Sequence, residues 1–146
     1  MRLLLLFLAG AAGVAMALQG TLNSALGKGI GVLQATFVVH LIGAAAAGLL
    51  LLMPGMSRSG NIAKIFQVPW YYLLGGIIGV FILYGVVASL PRLGAAVATT
   101  AIIVGQVGMA MVIDHFGFFG LTRVSFTWVK LIGLALLATG AGLILR

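Results

Sequence analysis

The sequence predicts an all-α integral membrane protein, and three observations lead to that fold class. Of the 146 residues, 63% are hydrophobic and only 6% are charged, whereas about 25% of the residues of a soluble domain are charged. The apolar residues form five runs, and each run is close in length to the roughly 20 residues that a helix needs to cross a bilayer. The eight basic residues lie singly, at or near the ends of these runs. Too few charges are present for a water-exposed surface, so we expect most of the surface to face lipid.

The five runs predict five spans in one membrane domain of residues 1–146. Pro54-Gly55 closes the second span, Pro69 opens the third, and Pro91-Arg92 is expected to form a tight turn before the fourth. Between the second and third spans, apolar residues of 62–66 recur at helical spacing, which predicts a short turn on the membrane surface. The predicted spans are residues 3–26, 30–53, 70–90, 93–113 and 126–145.

The first run has an alternative interpretation as a secretory signal peptide. Arg2 gives it a charged start, and Ala15-Met16-Ala17 has the small-x-small pattern of a cleavage site. We favour a span, because the rest of the chain is itself membrane-spanning and has less need of a cleaved export signal.

The basic residues give only a weak indication of orientation. Five spans put the termini on opposite sides, with five basic residues on the N-terminal side and three on the other. The positive-inside rule then gives a weak preference for a cytoplasmic N-terminus. A chain that inserts in both orientations would show a similarly even distribution of basic residues. A nucleic-acid partner is not expected, because its footprint would cluster the charges on one face. The two groups are Arg2, Arg58, Lys64, Arg123 and Lys130 against Lys28, Arg92 and Arg146.

Polar side chains inside spans are costly and tend to mark function. Gln19 and Asn23 lie one helical turn apart in the first span, where they either face a solute or bridge helices by hydrogen bonds. His40, near the middle of the second span, is a side-chain type that titrates near neutrality, although it could also simply donate to a carbonyl. The candidate substrate-binding residues are Gln19, Asn23, Phe37, His40, Tyr84 and Gln106.

The single acid, Asp114, stands at the carboxyl end of the fourth span. A negative charge there opposes the helix dipole and needs a partner, and the nearest basic residues in sequence are Arg123 and Lys130. We therefore predict a salt bridge that folds the following loop. Asp114, His115 and Arg123 are assigned structural or gating roles.

Twenty-two glycines, many of them inside spans, indicate a tightly packed helix bundle. Small residues let helices approach closely in lipid, where packing drives association. Gly75 and Gly79 form a GxxxG pair in the third span, and Gly133 and Gly140 share a face of the fifth. These four are the predicted packing positions, within the chain or between copies.

The absent motifs narrow the function. The sequence has no P-loop that would indicate ATP binding, no Ser/His/Asp arrangement, no metal-ligand spacing and no cysteine. We therefore expect no enzyme, no metal and no cofactor. A few neutral polar groups at depth favour a secondary transporter. A non-transporting scaffold or accessory subunit would use them only for packing, and a channel would need a continuous polar stripe, which no span has.

Four segments resemble the YdcZ-like family of the drug/metabolite transporter superfamily. Residues 18–27 resemble its QxxxNxxLG signature, residues 69–79 its PWWxxxGGxxG segment and residues 91–96 its PRLGAA turn. Gly105-Gln106, followed by Asp114-His115-Phe116-Gly117, matches its GQ…DHFG segment. The motifs occur in order over most of the chain. The resemblance makes Gln19, Asn23, Gln106 and Asp114 family-typical positions and weakens the signal-peptide interpretation.

The resemblance implies a five-helix half-transporter in the bacterial inner membrane. Ten-helix members of the superfamily consist of two inverted five-helix repeats, so a lone half would pair with a second copy in the opposite orientation. In that antiparallel homodimer, Gln19 of one copy would lie at the depth of Gln106 of the other and form a shared polar layer.

The resemblance names no substrate. The related small multidrug resistance proteins exchange protons for cationic drugs through a glutamate in their first helix, and this first helix has no acid. An exporter of cationic compounds is therefore the alternative, and we expect alternating-access transport of small neutral or anionic, including aromatic, solutes. If protons are coupled to transport, His40 is the expected carrier.

Overall fold

The computed structural model describes residues 1–53, 55 and 60–144, and their regular structure is entirely helical. Short 3-10 helices cover Ile62–Gln67 and Trp70–Leu73 before the third α-helix and Phe118–Gly120 after the fourth. Pro54, Arg58 and Arg146, which entered the sequence predictions, lie outside the described residues. The α-helices are α1 (Arg2–Ile30), α2 (Val32–Leu52), α3 (Leu74–Leu93), α4 (Ala95–Phe116) and α5 (Trp128–Ile144).

Four helical segments are long and apolar enough to cross a membrane. They have 21 to 29 residues with mean hydropathies of 2.0 to 2.3, and they are α1, α2, α4 and the continuous segment Trp70–Leu93. The described part of α5 has 17 residues, about 25 Å at 1.5 Å per residue, against about 30 Å of hydrocarbon. The all-helical membrane fold is thus confirmed, while the fifth span stays a prediction.

Single glycines separate two pairs of consecutive helices. Gly31, between α1 and α2, has φ 98°, and Gly94, between α3 and α4, has φ 81°. Only glycine adopts these angles without strain, so each residue ends one helix and allows the next to begin at once. The break predicted at residues 27–29 was wrong, because α1 continues through them to Ile30.

The predicted turn at Pro91-Arg92 was also wrong. Both residues belong to the last turn of α3, which ends at Leu93. A proline this close to the end of a helix removes only one backbone donor. The helix therefore accommodates Pro91, and the chain turns at Gly94 instead.

The chain divides into two compact units, Met1–Arg92 and Leu93–Arg146. In the first unit α1 packs against α2, and in the second α4 packs against α5. That residues 1–146 form one membrane domain stays a prediction.

Few apolar side chains are buried in the described chain. The buried hydrophobic residues are Ala35, Val87, Leu90 and Ala98, whereas Leu3 and Phe66 are 82% and 93% exposed. An apolar surface this large is unfavourable in water, so we expect lipid or another protein to cover it.

Candidate functional site

The inner face of α1 is a stripe of small residues with one amide among them. Gly20, Asn23, Ser24 and Gly27 are the buried residues of this helix, at the spacing of one helical face. A Cβ on Gly20 would lie 3.1 Å from Val86 Cγ1 of α3. Gly20 and Gly27 were not among the packing positions predicted from the sequence. Their seven-residue spacing around Asn23 was the signal that could have identified them.

A cavity of about 480 Å³ lies where α1, α2 and α3 of the first unit meet. Gln19 and Asn23 line it from α1, His40 from α2 and Gly79 from α3. Most other lining residues are apolar, and none of the described ones is acidic. The structure therefore brings together three of the predicted site residues, in a space large enough for a small organic molecule.

Asn23 is the most deeply buried polar group of this cavity. Its residue is 6% exposed, and its Nδ2 atom has no hydrogen-bond partner among the described residues. An unpaired buried donor costs about 1–3 kcal/mol, and such groups need an explanation where they occur. The helix-bridging interpretation of Asn23 is not seen within the described chain.

His40 is held in one orientation by its own helix. Its Nδ1 lies 2.9 Å from the Thr36 carbonyl oxygen, and the Thr36 hydroxyl donates in turn to the Val32 carbonyl at 2.8 Å. Because a carbonyl can only accept, Nδ1 carries the proton. Nε2 points toward α3, where a Cβ on Gly79 would lie 3.5 Å from it. The glycine thus leaves room beside the free imidazole nitrogen.

The other predicted substrate residues lie elsewhere. Phe37 is 67% exposed and does not line the cavity. Tyr84 lines a separate pocket of about 280 Å³ together with Lys28 and Arg92, whose positive charges favour an anion there. Gln106 is exposed on α4, in the second unit. Binding by any of these residues stays a prediction.

The carboxyl end of α4 is capped by the loop that follows it. Gly117 N–H donates to the Ile113 carbonyl at 2.8 Å, and Val124 N–H donates to the Asp114 carbonyl at the same distance. The Arg123 guanidinium donates to the His115 carbonyl at 2.9 Å. These bonds satisfy three of the carbonyls that a helix end leaves without a partner.

The predicted salt bridge of Asp114 was wrong for the part of the chain that the structure describes. Arg123 bonds the His115 carbonyl, and Lys130 Nζ bonds the Ser125 carbonyl at 3.2 Å, so neither cation pairs with the carboxylate. Exposed lysine and arginine gain little from an ion pair, whereas the carbonyls of a helix end need donors. The His115 imidazole accepts from Phe126 N–H at 3.2 Å, and the structural or gating roles of Asp114, His115 and Arg123 stay predictions.

One of the four predicted packing glycines has a close neighbour in the chain. Gly79 faces His40, whereas a Cβ on Gly75, Gly133 or Gly140 would meet no atom of the described residues within 4 Å. These three glycines leave open surface in the single chain, and their role in packing between copies stays a prediction.

The sequence comparisons bear on the family to which the chain belongs. A family model described as "Putative inner membrane exporter, YdcZ" matches residues 4–143, nearly the whole chain. No curated protein and no solved structure is significantly similar to it. The resemblance seen in the sequence motifs is confirmed, and with four helices able to cross a bilayer it makes the protein a transporter of the inner membrane. The chain belongs to the DMT_YdcZ family.

Proposed function

We propose that two copies of this chain, inserted in opposite orientations, form a secondary transporter that works by alternating access. The transported solutes are small and neutral or anionic, aromatic ones included. The observation that carries the proposal is the cavity between α1, α2 and α3, whose lining includes the Asn23 amide and the His40 imidazole; among the described residues, the buried Asn23 Nδ2 has no hydrogen-bond partner.

The cavity favours transport over a packing scaffold. In a scaffold, the intramembrane polar groups would be used up by hydrogen bonds between helices. A description of polar groups used up by hydrogen bonds fits Ser89 and Thr100, although their hydroxyls donate to carbonyls of their own helices. It does not fit Asn23, which is buried beside open space with an unsatisfied donor.

The charges disfavour cationic solutes. A cation in a membrane cavity needs an opposite charge or several acceptors to replace its hydration. The described lining of the cavity has no acid, and the one acid of the sequence, Asp114, is in the last turn of α4. Lys28 and Arg92 at the neighbouring pocket would attract anions and repel cations.

Solute uptake into proteoliposomes tests the transport function. Benzamide, benzoate and benzylammonium form a panel of similar size and different charge. We expect saturable uptake of benzamide or benzoate and little of benzylammonium. Gly43→Phe should abolish this uptake, because Gly43 lines the cavity and a side chain there meets no atom within 4 Å.

Gly48→Phe is the matched control for that variant. Gly48 is on the same helix with equally open space around it, but it does not line the cavity. It should leave uptake unchanged. Equal uptake by the two variants, or no uptake of the whole panel by the unmodified protein, would contradict the proposal.

Disulfide crosslinking tests the antiparallel homodimer. The natural chain has no cysteine, so Gln19→Cys and Gln106→Cys can be introduced singly and the two variants coexpressed. Crosslinks between position 19 of one copy and position 106 of the other support opposite orientations. Crosslinks formed only between equivalent positions indicate parallel chains and overturn this part of the proposal.

His40 is the proposed proton carrier if transport is coupled to protons. His40→Gln retains a hydrogen-bonding side chain but cannot titrate. Uptake that keeps its rate and its pH profile in this variant would remove His40 from the coupling mechanism.

A further inference from the structure

A second cavity of the first unit, with a volume of about 280 Å³, has two basic residues in an otherwise mainly apolar lining. Lys28 lines it from the last turn of α1, and Arg92 lines it from the last turn of α3. Apolar lining residues include Val32 of α2 and Val87 and Ala88 of α3. We call this cavity the basic pocket.

The two cations of the basic pocket have no counter-ion among its described lining residues. The one acid of the sequence, Asp114, is on α4 in the second compact unit. The carboxyl end of a helix favours one basic residue by itself, but two cations that line one pocket raise its positive potential and attract an anion. The α2 helix begins at Val32 without a side-chain cap, and the free N–H groups of a helix start favour an anion as well.

The apolar part of the basic pocket extends along α3 into the membrane. Tyr84, Ala88 and Arg92 recur every four residues on one face of this helix, and all three line the pocket. Tyr84 is eight residues before Arg92, which is about 12 Å along the helix axis at 1.5 Å per residue. An occupant that fits the whole pocket therefore has an anionic group at the membrane surface and apolar groups below it.

From these charges and this depth we infer that the basic pocket binds the headgroup phosphate of an anionic phospholipid. Lys28 and Arg92 bind the phosphate, and the start of the acyl chains lies against the apolar lining near Tyr84. Basic pockets between membrane helices are suited to anionic headgroups. The volume is near the lower limit of ligand sites, about 300 Å³, so the rest of the chains lies in the bilayer. One phosphate neutralises one of the two charges, and the pocket stays positive toward solutes.

Native mass spectrometry of the detergent-purified protein measures the binding of single lipid molecules. Dioleoylphosphatidylglycerol is the anionic probe, and dioleoylphosphatidylethanolamine has the same chains and a phosphate but also an ammonium group. Each basic residue beside an anionic lipid strengthens binding by about fivefold. We expect phosphatidylglycerol to bind at least about fivefold more tightly than phosphatidylethanolamine. Equal binding of the two lipids, or no binding of either, would overturn the inference.

Lys28→Gln and Arg92→Gln remove the two charges of the basic pocket. Both residues are exposed, so the variants should fold. The affinity for phosphatidylglycerol should fall about fivefold in each variant and at least about tenfold when they are combined. Unchanged affinity in the combined variant would remove both residues from the site and overturn the inference.

Arg2→Gln combined with Lys64→Gln is the matched control for charge. It removes the same net charge from two residues that do not line the basic pocket. The affinity for phosphatidylglycerol should stay within about twofold of that of the unmodified protein. A loss equal to that of the combined pocket variant would show attraction to the overall charge of the protein and overturn the assignment to the pocket.

Competition distinguishes a lipid phosphate from a soluble one. Glycerophosphoglycerol is the headgroup of phosphatidylglycerol without the chains, so it lacks the apolar groups that fit the deeper part of the pocket. At the same concentration as the lipid it should not displace phosphatidylglycerol. Displacement would make the pocket a site for soluble anions and overturn the lipid assignment. Because lipid binding is measured without solute uptake, its result is independent of the uptake assay.

Discussion

The contact between α1 and α3 depends on Gly27, and adding one methyl group there tests how tightly the two helices pack. Gly27 is buried on α1, and a Cβ built on it would overlap Val87 Cγ1 of α3. Val87 is 1% exposed, and its branched side chain has little freedom to turn away from the new atom. Gly27→Ala should therefore push the helices apart or strain the valine.

Two opposing terms set the size of this effect. An extra methyl group in a packed site costs about 1–3 kcal/mol, whereas alanine in place of a helical glycine gains about 0.5–1 kcal/mol. The free energy of unfolding should fall by about 0.5–2 kcal/mol as the difference. Because Gly27 lies one turn beyond Asn23, separation of α1 and α3 at Gly27 should also widen the nearby end of the cavity and weaken solute binding.

Unfolding by sodium dodecyl sulfate, followed by circular dichroism in mild detergent, gives the measurement. Gly13→Ala is the matched control, because Gly13 lies on the same helix and a Cβ there meets no atom within 4 Å. This control should be neutral or slightly more stable. Equal stability of Gly27→Ala and Gly13→Ala would contradict this prediction, because α1 and α3 would then not be in contact at this point.

Three further predictions concern the carboxyl end of α4 and use the same unfolding assay. Gly117→Ala should lower the free energy of unfolding by about 1–2 kcal/mol, because Gly117 has φ 65° and alanine disfavours that conformation. Gly108→Ala, inside α4, is the control, and an equally small effect of both substitutions would contradict the prediction. Arg123→Gln should cost about 0.5–1 kcal/mol through the lost bond to the His115 carbonyl, and no change would show that solvent replaces that bond. Asp114→Asn should alter the free energy of unfolding by less than about 0.5 kcal/mol, since the carboxylate pairs with no cation in the described chain. A larger loss would indicate that Asp114 does form a salt bridge.

The sequence was most informative where composition and motif decide the structure. The apolar runs predicted the membrane fold, and four of the five spans recur as helices of sufficient length. The helix boundaries were less predictable: Pro69 precedes the helical segment that begins at Trp70, as expected, but glycines form the boundaries after α1 and α3. Pro91 fits in the last turn of α3, while Gly31 and Gly94 take backbone angles that only their missing side chains allow.

The candidate site was predictable in its polar residues and not in its shape. Gln19, Asn23 and His40 were identified because intramembrane polar groups are costly, and all three line one cavity. Phe37 lies three residues before His40 and is exposed, which the sequence did not reveal because helical spacing alone cannot show which face of a helix meets a neighbour. The partner of Arg123 also depended on the loop conformation, which local sequence does not determine.

The most direct test of the account is the reactivity of a cysteine at position 40 toward a water-soluble, membrane-impermeant thiol reagent in native membranes. His40→Cys places the thiol in the cavity, and Phe37→Cys, one turn earlier on the same helix, places it on the exposed surface outside the cavity. Because thiols react as thiolates in water, a hydrated cavity predicts fast modification at position 40 and little modification at position 37 in lipid. Equal reactivity at the two positions, or no reaction at position 40, would contradict a solute pathway between α1, α2 and α3.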